Sequence, residues 1–224
     1  MCGRYSIAIS GKDMVKRFRA TLDVTWSPRY NVAPTQACPV LIDKDERDIQ
    51  LFRWGLAPSW LPQKSRALIT VRSESLDKPI FRSAFHERRC LVIADSFYEW
   101  KQEGSSKVPH RIMLDDGSPF AFAGVWEEGR DASGRPVKCF AILTTPPNTL
   151  VASLHDRMPV MLLPEWENTW IDPNADPKEL LNAFAPYPAM LMEEYAGGQA
   201  VNSPKNDDAS LIVPVDRDSS DVAA

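Results

Sequence analysis

The sequence predicts a single α+β domain in which short, mainly antiparallel strands are flanked by short helices. A chain of 224 residues is long enough for one sizeable core and short for two. A composition of 44% hydrophobic and 25% charged residues excludes a disordered chain, a collagen and a coiled coil. The 19 prolines against 10 glycines indicate many short elements with rigid connections.

The elements of the first half follow from hydrophobic spacing. A helix is expected over Lys12–Ala20, where three apolar residues share one side. Strands are expected over Gln36–Asp43 and Ile49–Trp54, on either side of a charged turn. A second helix is expected over Ile80–Arg89, and a long apolar and aromatic strand over Cys90–Trp100.

The second half continues with strands and ends with helices. Strands are expected over His110–Leu114, Phe120–Trp126 and Val137–Thr144. Helices are expected over Pro164–Ile171 and Pro177–Phe184, because proline favours the first helical position. Residues 2–214 are therefore predicted to form the domain, and residues 215–224 a disordered acidic tail.

The charge is unevenly distributed along the chain. The total is −4, and residues 205–224, with five Asp and two basic residues, account for −3. Residues 61–90 carry seven Lys or Arg against three acids, a net of +4. Such a basic region can bind nucleic acid, but most are simply solvated surface, and charge alone favours the solvated surface.

The cysteines and the hydropathy pattern restrict the cellular setting. No apolar run approaches the length of a membrane helix and the N-terminus is polar, so a cytoplasmic protein without membrane contact is expected. Cys38, Cys90 and Cys139 lie in apolar stretches and are expected to be reduced core thiols. No CxxC pair is present, so a zinc site is not expected. No other metal and no cofactor is expected either.

Cys2 stands directly after the initiator methionine, where removal of Met1 would leave an α-amine and a thiol on adjacent carbons. An α-amine with a pKa of roughly 7.7–8.0 is partly neutral at pH 7. Both groups could attack one aldehyde, the amine to give an imine and the thiol to close a five-membered thiazolidine ring. Without further support, the position is explained as merely the start of the chain.

Glu99 and His155 are candidates for acid–base chemistry. Glu99 ends an apolar run in Ser-Phe-Tyr-Glu-Trp, where burial would raise its pKa toward neutrality. The alternative is a glutamate on the outward face of an alternating strand. His155 lies in an irregular segment before Pro159, and such loops often carry function. A structural histidine with its hydrogen bonds satisfied explains it equally well.

Four arginines accompany apolar or aromatic residues and could hold phosphate oxygens with their forked guanidinium groups. They are Arg4, Arg53, Arg72 and Arg157. Each could instead form an ordinary surface ion pair. Trp54 and Trp60 could stack on nucleic-acid bases, and the alternative is that they are core tryptophans.

Seven segments occur together in one order. They are Met-Cys-Gly-Arg-Tyr at 1–5, Tyr-Asn-Val-Ala-Pro-Thr-Gln at 30–36, Arg-Trp-Gly-Leu-Ala-Pro-Ser-Trp at 53–60, Arg-Ser-Glu at 72–74, Arg-Arg-Cys-Leu-Val-Ile at 88–93, Phe-Tyr-Glu-Trp at 97–100 and His-Asp-Arg-Met-Pro at 155–159. In this combination the chain resembles the SOS-response-associated peptidase (SRAP) family over about residues 2–204.

The resemblance implies a single domain that binds single-stranded DNA and recognises abasic sites. It implies that Cys2, once Met1 is removed, forms a thiazolidine crosslink with the ring-opened sugar and so shields the lesion from strand cleavage. Glu99 matches the family's acid/base and His155 its active-site histidine. The expected DNA contacts are Arg4, Arg72 and Arg157 to phosphates and Trp54 at the DNA surface. Such an enzyme would act at the nucleoid, and nothing in the sequence suggests more than a monomer.

One position departs from the family pattern. Thr70 stands where the family commonly has an asparagine that would hydrogen-bond near the reacting sugar. A threonine hydroxyl donates and accepts but is shorter and has no amide. The change affects the expected efficiency of crosslinking more than its occurrence.

Two other functions remain open at this point. A cysteine-dependent peptidase, including one that removes its own leader, would use Cys2 as nucleophile, His155 as base and Glu99 to orient the histidine. A non-catalytic module would bind single-stranded DNA without forming any adduct.

Overall fold

Two β-sheets pack against each other in a computed structural model, which describes residues 3–57, 67–130 and 133–215. The strands are β1 (Tyr5–Ile7), β2 (Arg29–Val32), β3 (Ala37–Leu41), β4 (Ile49–Trp54), β5 (Thr70–Arg72), β6 (Arg89–Ala94), β7 (Ser96–Glu103), β8 (Ser106–Leu114), β9 (Phe120–Arg130), β10 (Pro136–Thr145), β11 (Met158–Pro159), β12 (Met161–Leu162) and β13 (Met192–Ala196). The helices are α1 (Gly11–Phe18), α2 (Pro79–Glu87), α3 (Pro164–Ile171) and α4 (Pro177–Leu180). The predicted single α+β domain with mainly antiparallel strands is confirmed.

The smaller sheet has the strand order β13-β8-β7-β1-β2, and its neighbouring strands are antiparallel. The larger sheet has the order β11-β10-β4-β3-β6-β9-β12, and β9 also pairs with β10. That last pairing closes five strands into a ring, because β10, β4, β3, β6 and β9 each then have two neighbours. Within this ring β4 runs parallel to β10, as does the short β5 outside it.

Aromatic side chains join the two sheets. Tyr5 on β1 is fully buried. Its ring packs edge-on against Trp54 and Phe122, at centroid distances of 5.0 and 5.8 Å. Burial of a large aromatic side chain contributes about 2–3 kcal/mol, so Tyr5 anchors the short first strand. The chain is thereby held in place two residues after Gly3.

The predicted long strand over Cys90–Trp100 is instead two strands in different sheets, which is a correction. The break falls at Asp95, whose carboxylate accepts hydrogen bonds from the Ser6 hydroxyl and the Ala8 amide. The Asp95 amide donates to the Ser6 carbonyl at 3.1 Å. These bonds fix the corner at which the chain leaves the larger sheet and enters the smaller one, and an apolar pattern does not show such a corner.

The remaining predicted elements are present: Ile49–Trp54 and Pro164–Ile171 have the predicted bounds, and the others have shifted ends. Ser10 caps the N-terminus of α1, because its hydroxyl accepts a hydrogen bond from the Asp13 amide. The helix buries Met14 and Phe18. The predicted helix over Pro177–Phe184 is α4 followed by the 3₁₀ turn Leu181–Phe184. Strands β1, β2, β5, β11 and β12 were not predicted, because two to four residues are too short for a periodic pattern, and β13 was not predicted because Met-Glu-Glu-Tyr-Ala does not alternate.

None of the helices in the described segments combines the length and the apolar character needed to span a bilayer. The acidic tail predicted over residues 215–224 lies outside the described residues except for Val215, so its disorder stays a prediction. Residues 61–66 of the basic region also lie outside the described residues.

Candidate active site

A cavity opens where strand β7 extends beyond the start of β1. Strand β1 pairs with β7 through Tyr5–Phe97 and Ser6–Ser96, and the Tyr98 amide donates to the Arg4 carbonyl at 3.0 Å. Strand β7 then continues to Glu103, beside a cavity of about 480 Å³. The cavity is lined by Glu99, Trp100, Lys107, His155 and Asn202. The fold therefore brings together the two predicted acid–base residues, Glu99 and His155.

Glu99 is buried, with 3% of its surface exposed, and lies on the same face of β7 as the core residue Phe97. The alternative of an outward-facing glutamate is therefore wrong. Burial raises the pKa of Glu99 to about 7, and the negative charge of Asp156 acts in the same direction. The expected rise in the pKa of Glu99 is confirmed, and a carboxyl group of this kind can donate or accept a proton near neutral pH.

His155 is held by its own loop, directly after the 3₁₀ turn Val151–Ser153. Its amide donates to the Val151 carbonyl at 2.9 Å, and the Arg157 amide donates to its Nδ1 at 3.0 Å. Burial lowers the pKa of His155, although the nearby Asp156 charge opposes this effect. In the neutral ring Nδ1 accepts and Nε2 carries the hydrogen. When the ring is protonated, Asp156 Oδ1, 2.7 Å from Nδ1, supplies the acceptor.

Arg157 is bound by protein groups in this structure, and its predicted contact with phosphate stays a prediction. It is 8% exposed, and its two terminal nitrogens reach the Glu74 carboxylate at 2.6 and 2.8 Å. One of them also donates to the Thr144 carbonyl at 2.6 Å. These hydrogen bonds lower the pKa of Glu74 to about 2. Arg157 thus holds the His155 loop against the 3₁₀ turn Ser73–Ser75 that follows β5, because its guanidinium group is hydrogen-bonded to Glu74 and Thr144.

Trp54 does not lie at a DNA-binding surface, so this prediction is also corrected. Its ring is fully buried, stacks on Phe140 at 6.5 Å and donates from Nε1 to the Ile69 carbonyl at 2.9 Å. The alternative of a core tryptophan is confirmed for this residue. Trp60, the other tryptophan considered for base stacking, lies outside the described residues.

Arg4 ties the first strand to the C-terminal part of the chain. Tyr5 lies opposite Phe97, on the same face of the sheet as Glu99. Because neighbouring strand residues point to opposite faces, the Arg4 side chain leaves the sheet on the other face. Its Nη1 donates to Asn31 Oδ1 at 2.7 Å and to the Val201 carbonyl at 2.8 Å. The geometry gives Arg4 a structural role, and its contact with phosphate stays a prediction.

Thr70 and Arg72 lie on β5, on the face opposite to the buried Val71. The parallel register places Thr70 beside Ile142 and Arg72 beside Thr144, the residue whose carbonyl receives Arg157. Arg72 is exposed and Thr70 is half-buried, and neither lines the cavity. Their predicted contacts with DNA therefore stay predictions, with Arg72 accessible to a phosphate group.

Cys2 lies outside the described residues, so the structure does not place the predicted nucleophile. Within the described segments, no group of three or more His, Cys, Asp or Glu side chains is arranged to hold a metal ion.

Three residues of the cavity, Trp100, Lys107 and Asn202, were not predicted as site residues. Lys107 lies on β8, near its start, and Asn202 lies on the 3₁₀ turn Gln199–Asn202. Asn202 Oδ1 accepts a hydrogen bond from Trp100 Nε1 at 2.7 Å, which fixes the turn beside the cavity. No motif marks Lys107, which reaches the cavity through the β7–β8 hairpin, and Asn202 reaches it through contacts that are distant in sequence.

Comparison with known proteins agrees with this architecture. A family model described as SOS response associated peptidase (SRAP) matches residues 1–204. The abasic site processing protein YoqW of Bacillus subtilis is 39% identical over 221 residues, covering 95% of this chain and 99% of the relative. The abasic site processing protein YedK of Escherichia coli is 31% identical, covering 96% and 100%.

More distant similarity extends to animals and to solved structures. The abasic site processing protein HMCES of Gallus gallus is 26% identical, covering 85% of this chain and 67% of the relative. A crystal structure of a protein from Bacteroides thetaiotaomicron superimposes with a TM-score of 0.86 at 25% identity, covering 96% of this chain and 100% of that one.

Proposed function

The chain belongs to the SOS response associated peptidase family, and from this premise we propose that it processes abasic sites in DNA. The observation that carries the proposal is the cavity at the start of β1, where Glu99, with a pKa of about 7, and His155 lie together. Relatives named abasic site processing proteins cover nearly the whole chain, which supports the same assignment.

The proposed nucleophile is Cys2 after removal of Met1. Continuing the β1–β7 register by two residues sets Gly3 opposite Glu99. Cys2 is one peptide unit before Gly3, and consecutive Cα atoms are about 3.8 Å apart. The proposal therefore requires the α-amine and thiol of Cys2 to reach the cavity from the position next to Gly3.

The proposed reaction uses both groups of Cys2 on one aldehyde. His155 assists opening of the abasic sugar, and the Cys2 amine adds to the exposed carbonyl carbon. Glu99 in its protonated form gives its proton to the resulting hydroxyl group, which leaves as water and produces an imine. The thiol then adds to the imine carbon and its proton returns to the Glu99 carboxylate, so that aldehyde, amine and thiol yield a thiazolidine and one water.

The thiazolidine explains why a cysteine is needed. An imine withdraws electrons and promotes elimination of the 3′ phosphate, which breaks the strand. The thiazolidine carbon is saturated, and this route is closed. In this lyase-like enzyme the residue that captures the lesion therefore also protects the DNA, and reversal through Glu99 would release the protein.

Single-stranded DNA containing an abasic site is the proposed substrate, and a monomer acting at the nucleoid is the proposed working form. Phosphate contacts position the strand without reading its bases. An abasic site has no base to extrude, so the protein avoids the unstacking cost met by enzymes that act on bases.

The test is intact-mass analysis of processed protein incubated with abasic single-stranded DNA. We expect a denaturant-stable adduct whose mass is the sum of protein and DNA minus one water. Substitution Cys2→Ala, or retention of Met1, should abolish the adduct and leave binding to DNA intact. Unmodified wild-type protein would overturn the proposal. Cleavage of peptides without DNA would favour the peptidase, and salt-sensitive binding without an adduct would favour the binding module.

A further inference from the structure

A buried histidine lies directly opposite Glu99 and has no part in the mechanism described above. His110 on β8 pairs with Glu99 on β7 in the antiparallel register, so the two side chains leave the sheet on the same face. The Cβ atoms of such cross-strand pairs are about 4.5–5.5 Å apart. His110 is only 5% exposed, which places a second ionisable ring beside the proposed acid.

The two ring nitrogens of His110 have different surroundings. Nδ1 is hydrogen-bonded to the Glu194 carboxylate on β13. Because an ionised carboxylate only accepts hydrogen bonds, Nδ1 carries the hydrogen and Nε2 of the neutral ring is an acceptor. Nε2 is buried and has no hydrogen-bond partner among the described residues. Buried polar atoms of this kind are costly and uncommon, so Nε2 requires an explanation.

The elements around His110 offer few groups that could use this nitrogen. Strand β13 contributes Glu194, which is already bound to Nδ1. The turn Gln199–Asn202, which packs on β8, has no titratable side chain. On the same face of β7, Lys101 pairs with Glu103 toward the hairpin end at 3.7 Å. Glu99 is the titratable group directly opposite His110.

We propose that His110, oriented by Glu194, is a positioning residue for Glu99: its Nε2 accepts a hydrogen bond from the protonated carboxyl group. The proposal rests on the function proposed above, in which Glu99 must carry a proton to expel water. A hydrogen bond to the protonated form stabilises that form, in addition to the effect of burial. Contacts of this type in active sites often shorten only when the substrate is bound.

Two polar, uncharged variants separate this role from simple packing. His110→Asn keeps an N–H group near the position of Nδ1 and has no atom at the position of Nε2. His110→Gln is long enough to present a carbonyl oxygen where Nε2 lies. The measurement is the rate of crosslinking to abasic single-stranded DNA between pH 5 and 9, by denaturing gel, with DNA affinity measured alongside by fluorescence anisotropy.

In the Asn variant we expect the pH inflection of the rate to move down by about one unit, the size of effect that one hydrogen bond has on a pKa. The Gln variant should keep the wild-type inflection, and neither should change DNA affinity. Glu194→Met, which removes the partner of Nδ1, should move the inflection in the same direction as the Asn variant. It keeps the test available if the Asn variant does not fold.

A matched control is His86→Asn on the exposed side of α2, which should leave the profile unchanged. Wild-type inflections in both the Asn and Met variants would overturn the role of His110 while the proposed function stood. Absence of any adduct with wild-type protein would instead remove the proposed function itself, so the two failures are distinguishable.

Discussion

Glu99 shows how a single buried carboxyl group connects stability with function. At 3% exposure its charged form has lost most of its solvation by water, and the pKa of the group rises to about 7. A raised pKa means that the folded state binds this proton more tightly than the unfolded state does. The contribution of Glu99 to stability is therefore full below the unfolded value near 4.5 and falls as pH rises through about 7.

Glu99→Gln should consequently lower activity and raise stability in alkaline solution. We expect crosslinking at pH 7 to fall about 10²–10⁴-fold, the usual contribution of a positioned acid or base, with DNA affinity retained. At pH 8 the free energy of unfolding should increase by roughly 1–3 kcal/mol, because the buried charge is gone. Urea titrations at pH 5 and 8 check the second effect, and a variant less stable than wild type at pH 8 would contradict it.

Trp54 and Arg157 show the limit of judging a side chain by its sequence neighbours. Both occur in segments that carry the family resemblance, and both were expected at the DNA. The structure buries Trp54 behind Tyr5 and fills the fork of Arg157 with Glu74. A motif can therefore identify a residue that shapes the site without showing whether that residue touches the substrate.

At the scale of elements, the C-terminal segment over residues 199–207 behaves as part of the site. The buried Asn31 amide nitrogen lies within hydrogen-bond distance of the carbonyls of Val201, Ser203 and Asn206 at 2.7–3.2 Å. Asp207 accepts from the amides of Tyr30 and Asn31. These bonds hold the turn that brings Asn202 to the cavity.

Asn31→Ala should release this segment. We expect a loss of about 2–4 kcal/mol in stability, since three carbonyls and the Arg4 guanidinium each lose a hydrogen bond to the buried Asn31 side chain. Hydrogen–deuterium exchange should increase over residues 199–207 before it increases in β6 or β9. Asn182→Ala, at an exposed position, is the matched control. It should change the free energy of unfolding by no more than about 0.5 kcal/mol and leave the exchange of residues 199–207 unchanged. Unchanged exchange in this segment would contradict the assignment.

At the scale of the whole molecule, one continuous core joins the two sheets. The cluster that includes Tyr5, Phe97 and Ile112 of the smaller sheet also includes Trp54 and Phe122 of the larger one. The chain also crosses between the sheets at Asp95 without a linker. Neither sheet can therefore lose its packing without exposing the inner face of the other.

We accordingly expect thermal unfolding in one cooperative transition. Far-ultraviolet circular dichroism reports both sheets. Tryptophan fluorescence reports mainly the larger sheet, which carries Trp54 and Trp126 and on which α3 packs with Trp166 and Trp170, and the two midpoints should coincide. Two separate midpoints would show that the sheets unfold independently. A variant that weakens the interface, Tyr5→Leu, should lower both midpoints together.

The amino-acid sequence by itself determined the fold class, most of the longer strands and helices, and the choice of Glu99 and His155. Periodicity and motif order are local properties, and they suffice for these. Only the tertiary structure decided that the chain changes sheets at Asp95, that Trp54 is buried, and that His110 and Asn202 lie beside Glu99. The pairing of His110 with Glu99 depends on the register of the β7–β8 hairpin, and the other three depend on contacts between segments far apart in the chain. The folded arrangement alone sets which groups share a face, a cavity or a hydrogen bond.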